Sequence, residues 1–143
     1  MKRISAFIVL VLLGASLLLT GCGAQEPPPD EESPVTLDPI AGTDLNLLTL
    51  TEKAAERLGL ETAEVVAQEG QVVVPYAALL YDPTGQAWVY VSVEPLVFVR
   101  QAVAVETIDG NQVILSEGPD AGSNVVTMGA TELFGSESEF EEE

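Results

Sequence analysis

Trp88-Val89-Tyr90-Val91-Ser92-Val93 is six residues of strict alternation, with valine at every second position. Side chains alternate faces along a β-strand, so the three valines share one face and Trp88, Tyr90 and Ser92 the other. The pattern predicts a strand with its valines turned inward. Just before it, Asp82-Pro83-Thr84-Gly85 has Pro at the second and Gly at the fourth position of a β-turn. Leu79 to Tyr81 and Gln86 to Val93 are therefore expected to pair as a hairpin.

The same signals recur outward in both directions. Upstream, Val72-Val73-Val74 reads as a strand stopped by Pro75, which has no N–H to donate. Gln68-Glu69-Gly70 is a short turn before it, Leu60 to Ala67 reads as extended, and Tyr76 to Leu80 as a brief helical turn or bend. Leu45 to Leu50 is a further strand. Thr51 to Gly59 reads as a short helix, with Thr51 as N-cap, Glu52 in the positive first turn, Arg57 near the end and Gly59 at the left-handed position beyond it. Downstream, Leu96 to Val105 reads as the longest strand, with Val97, Val99, Val103 and Val105 on one face and Arg100 on the other. Asp109-Gly110 is a two-residue hairpin signal leading to Gln112 to Leu115. Gly118 to Gly122 is a tight loop, and Val125 to Met128 the last strand. Strands at this spacing predict a mainly β fold: a small antiparallel β-roll or barrel with one short helix.

The ends read differently. Met1-Lys2-Arg3 is a basic start, and Ile4 to Leu19 is an apolar run without charge, shorter than the ~20 residues a spanning helix needs. It runs into Leu19-Thr20-Gly21-Cys22, which resembles the lipobox of bacterial lipoproteins. Small residues suit the scissile bond Gly21–Cys22, and the Cys22 thiolate is the nucleophile that accepts a diacylglyceryl group. The expectation is a leader over residues 1–21 and lipidation at Cys22; a retained transmembrane anchor and ordinary secretory cleavage are the alternatives. Several acyl chains hold firmly, at roughly 0.8 kcal/mol per buried methylene. Residues 22–44, with Pro27-Pro28-Pro29 and Asp30-Glu31-Glu32, read as a disordered linker, and 136–143, with five glutamates, as a disordered acidic tail. The folded domain is expected over 45–135.

Charge and composition narrow the function. Loss of the leader removes Lys2 and Arg3 and leaves three cations against 23 carboxylates, a net charge of −20. Such a chain is repelled by nucleic acid and by anionic lipid surfaces. The chain has no His and a single Cys, which removes the common general base, triads and most zinc sites. No Gly-x-Gly-x-x-Gly follows a strand, and the tail glutamates lack calcium-loop spacing. The expectation is a non-enzyme without a cofactor. Trp88 and Tyr90 either cap the core or form an exposed aromatic patch. Arg100 either pairs with a partner's carboxylate or lies solvated among abundant acids. These three are the candidate interaction residues.

Two segments carry a family resemblance. Val74-Pro75-Tyr76-Ala77-Ala78-Leu79-Leu80, a turn, Trp88-Val89-Tyr90-Val91, then Phe98-Val99-Arg100-Gln101-Ala102-Val103 and the spaced Gly118, Gly122, Val125, Val126 and Gly129 form one. Leu50 to Ala63 forms the other. Together they are similar to the membrane-proximal domain of periplasmic adaptor subunits, the membrane fusion proteins of RND-type efflux pumps. In that family the two segments are far apart in sequence and fold together, with further domains inserted between them. Here Ala67 reaches Val72 through four residues, so the parts that dock an outer-membrane channel are missing. The resemblance implies the fold and a transporter or other envelope protein as partner. The expected setting is the cell envelope, on the extracytoplasmic face of a membrane; Gly23 after the lipidated Cys favours an outer membrane where a cell has two. The alternative function is a small-ligand or ion-binding lipoprotein using the barrel's open end.

Overall fold

The computed structural model describes residues 33–141, and the side chains of 33–138. The leader, Cys22 and the first part of the linker lie outside the described residues. Over the described residues the chain is mainly β, with two helices and two antiparallel sheets. The elements are β1 Val35–Pro39, β2 Asn46–Leu50, α1 Glu52–Leu58, β3 Glu61–Glu64, β4 Val66–Gln68, β5 Gln71–Pro75, β6 Leu80–Tyr81, β7 Ala87–Glu94, β8 Val97–Ala102, β9 Ala104–Asp109, β10 Gln112–Glu117, β11 Asn124–Met128 and α2 Ala130–Glu141. A 3-10 turn, Tyr76–Ala78, joins β5 to β6. No described helix is long and apolar enough to cross a membrane.

The large sheet has the order β1-β2-β8-β7-β11-β3, with β6 also on β7; the small sheet has the order β4-β5-β10-β9. The expected barrel is therefore open: two stacked sheets, without closure. The chain crosses between them four times, twice through a one-residue break between consecutive strands. Val65 separates β3 from β4, and Val103 separates β8 from β9; both are buried. The latter break corrects the single long strand expected over Leu96 to Val105. A strand that crosses from one sheet to another must bend, and a buried valine fills the corner at each crossing.

Alternation along the strands builds two cores, one on each face of the large sheet. Val89, Val91 and Val125 meet Val74, Val113 and Leu115 between the sheets. On the other face Leu48, Tyr90, Phe98 and Val126 meet Val35, Ala54 and Leu133 from β1, α1 and α2. Val93, expected inward, is 49% exposed beyond this packing.

Local chemistry sets the connections. Thr51 accepts a hydrogen bond from the Ala54 N–H at 3.2 Å and caps α1. Gly59 closes that helix at φ 60, where a side chain costs energy. In the β9–β10 hairpin Asp109 faces Gln112, so the loop residues are Gly110 and Asn111. The positive φ falls on Gly110, as a type II′ turn requires.

Two expectations of disorder are corrected. Within the expected linker, Val35–Pro39 forms β1, paired with β2 from Val35↔Leu50 to Pro39↔Asn46. Val35 is buried in the helix-side core, which offsets the ordering entropy. Within the expected tail, residues 136–141 continue α2. Gly135 and two residues close to it, Ser136 and Ser138, are middling or poor helix formers. The helix forms because Ala130, Leu133 and Glu137 recur one turn apart and are buried against the large sheet.

Candidate functional site

Trp88, Tyr90 and Arg100 are brought together, and the register says how. Tyr90 faces Arg100 across β7 and β8, and Trp88 faces Ala102. Residues two apart share a face, so all three stand on the helix side of the large sheet. There α2 supplies Phe134 and Glu137. The Arg100 guanidinium carbon lies 4.5 Å from the Trp88 ring centre and 5.4 Å from that of Phe134, a cation between two aromatic rings.

Glu137 completes the cluster from inside. Its Oε2 accepts from the Tyr90 hydroxyl at 2.6 Å and lies 3.5 Å from Arg100 Nε. The Glu137 side chain is 1% exposed and that of Arg100 13%. Nε is near enough for an ion pair but makes no hydrogen bond, and Glu137 Oε1 is buried without a partner. Two charges have thus been taken out of water with incomplete compensation.

These positions correct two readings. Tyr90 is completely buried, so Trp88 and Tyr90 do not form an exposed aromatic patch. Arg100 is not a solvated face residue; its carboxylate partner is this chain's own Glu137. Glu137 itself was hidden, because an acidic run announces a solvated tail. Its one signal is the spacing Ala130, Leu133, Phe134, Glu137, which places all four on a helical stripe.

Trp88 is tied on its other side. Its Nε1–H donates to Asp82 Oδ2 at 3.0 Å. Asp82 Oδ1 accepts from the Thr84 hydroxyl at 2.6 Å, the Thr84 N–H at 2.8 Å and the Gln86 N–H at 3.0 Å. The Thr84 hydroxyl, then the Trp88 indole, hold the carboxyl down at about 2, below its usual 3.8. Asp82 thus fixes both its own turn and the indole that covers Arg100.

Among the described residues no group of three or more His, Cys, Asp or Glu is placed to hold a metal ion. Among the described residues, hollows open at the surface. One of about 370 Å³ lies between α1 and the β7–β8 turn, lined by Glu56, Leu60, Thr62, Ser92 and Leu96 among others. Two more, of about 150 Å³ and about 360 Å³, adjoin on the outer face of the small sheet. No family model, no curated protein and no solved structure matches this chain.

Proposed function

We propose that the chain is a lipid-anchored, non-catalytic accessory protein of the cell envelope. Its β domain resembles the membrane-proximal domain of efflux adaptors, and it docks a membrane transporter or another envelope protein. The anchor is Cys22, on the strength of Leu19-Thr20-Gly21-Cys22 behind an apolar, uncharged run.

One observation carries the adaptor-like reading. The two family-like segments meet in one sheet: Thr62 and Ala63, at the end of Leu50 to Ala63, pair with Val126 and Val125 of the other. The resemblance implies this union of two segments into one module. Here a direct connection between β4 and β5, through Glu69 and Gly70, stands where the family has inserted domains. Gln68 and Gln71 flank that turn as a paired couple, so the module closes without any insertion.

The test has two parts. Mass spectrometry of the mature N-terminus is expected to show acylated Cys22; an unmodified thiol or an intact leader overturns the anchor. Purification of the lipidated protein in mild detergent is expected to retain a membrane transporter or envelope protein; recovery of the chain alone counts against docking. The alternative, a small-ligand lipoprotein, rests on the hollow beside α1. A ligand held there raises the melting temperature with its concentration.

A further inference from the structure

The outer face of the small sheet is built for a partner of defined chemistry. Val66 pairs with Val73, Val73 with Ile114, and Ile114 with Thr107, so an aliphatic row crosses β4, β5 and β10. The next residues along, Val74 and Val113, point into the core between the sheets, so this row points away from it. Val66 is 44% exposed while Val73, at the centre of the row, is 4% exposed, so the apolar contact this face offers is at the Val66 end. Both described helices contribute their apolar residues to the opposite side of the large sheet.

The surroundings carry one sign of charge. Glu64 borders one hollow; Glu69 and Asp109 border the other; Glu106 reaches the face by accepting from Gln71 Nε2 at 3.0 Å. From Gly59 to Glu141 the sole cation in the sequence is Arg100, and Arg100 is paired beneath α2. Among the described residues none of these four carboxylates makes an ion pair. An apolar centre with a polar rim is the anatomy of an interface, and unopposed carboxylates select the sign of what binds.

We infer that this face docks a protein segment that presents Lys or Arg around an aliphatic side chain. Charge decides against the other occupants: a second copy and an anionic bilayer both bring negative charge to a negative surface. The inference rests on the reading of the domain as an interaction module, but not on the lipid anchor.

The probe is the peptide Lys-Thr-Lys-Val-Lys-Thr-Lys, with the full chain in neutral detergent at low ionic strength. Replacing the four carboxylates (Glu64→Gln, Glu69→Gln, Glu106→Gln, Asp109→Asn) is expected to weaken binding by about tenfold. A charge-matched variant away from the small sheet (Asp38→Asn, Asp44→Asn, Glu94→Gln, Glu132→Gln) is expected to stay within about twofold. The peptide with Ser for Val should bind more weakly to the parent but equally to Val66→Ser. Equal loss in both charge variants, indifference to the Val in the peptide, or self-association of the parent through this face overturns the inference. Peptide binding with no envelope protein in the detergent purification leaves this surface standing and removes the proposed function; the reverse result does the opposite.

Discussion

Cutting both sides of the buried Arg100–Glu137 pair should cost the domain no more than cutting the Arg100 side alone. Removing one partner of a buried pair typically costs about 3–5 kcal/mol, because the other charge stays buried and uncompensated. For Glu137→Ala the lower end applies. The stranded guanidinium keeps the Trp88 ring 4.5 Å away, and its 13% exposure admits some water. We expect a loss of about 3 kcal/mol. Arg100→Ala strands a carboxylate that is 1% exposed and holds the Tyr90 hydroxyl at 2.6 Å, so about 4 kcal/mol is expected. Either loss is a large part of the roughly 5–15 kcal/mol that holds a domain together. The double variant Arg100→Ala/Glu137→Ala removes both charges and should cost about 4 kcal/mol, well short of the sum, which gives a coupling of about 3 kcal/mol. Arg100→Met/Glu137→Leu fills the same volume with apolar atoms and should lie within about 1 kcal/mol of the parent or above it. Urea unfolding followed by far-UV circular dichroism measures all four. A Glu137→Ala loss below about 1 kcal/mol, or a double variant equal to the sum of the singles, refutes the reasoning.

Three further outcomes are expected. The folded-state carboxyl of Asp82 sits near 2, below its ordinary 3.8, so its contribution is complete above about pH 4 and fades as pH falls through 2; emission of Trp88, the one Trp in the chain, should titrate near pH 2, Asp82→Asn should abolish that step, and a midpoint near 4 counts against it. Glu69 and Gly70 both have positive φ, 52 and 83, the arrangement of a type I′ turn that prefers Asn first, so Glu69→Asn should raise stability by up to about 1 kcal/mol in thermal unfolding. Gly129 sits at φ +88, with Leu60 Cδ2 2.5 Å from where a Cβ would stand, so Gly129→Ala should destabilise by about 1–3 kcal/mol, and an unchanged melting temperature would contradict this.

What could be read in advance was whatever is local. The Thr51 cap, the Gly59 helix end, the Asp82 turn and its hairpin depend on neighbours in sequence, and the structure has them all: β6 pairs with β7 through Leu80↔Trp88. Val-rich alternation gave the strands and the antiparallel, mainly β class. What escaped depends on distant partners. Val35–Pro39 has only one confined apolar stretch, and its order comes from Leu50 and Leu48 across the ladder. Leu96 to Val105 looks continuous, because nothing in a valine run marks Val103 as the corner between two sheets. Of the candidate site, the grouping of Trp88, Tyr90 and Arg100 on one face follows from parity; their burial follows from Glu137, whose acidic setting argued for water.

The large sheet explains why that setting misleads. Along β7, Val89 and Val91 enter one core while Tyr90 enters the other, so the strand is apolar on both faces. A sheet with two apolar faces needs two covers. The small sheet covers one, through Val74, Val113 and Leu115. Among the described residues α1 and α2 cover the other, laying Ala54, Ala130 and Leu133 over Leu48, Tyr90 and Phe98. Large side chains on both faces of one strand were therefore already evidence that segments flanking the Val-rich region must fold onto it, whatever their own composition suggests. The covers are then spent: α1 and α2 are committed to the large sheet, and the aromatic face beneath them has no surface to offer. The outer face of the small sheet, with Val66 exposed and carboxylates around it, is where we infer that another protein docks.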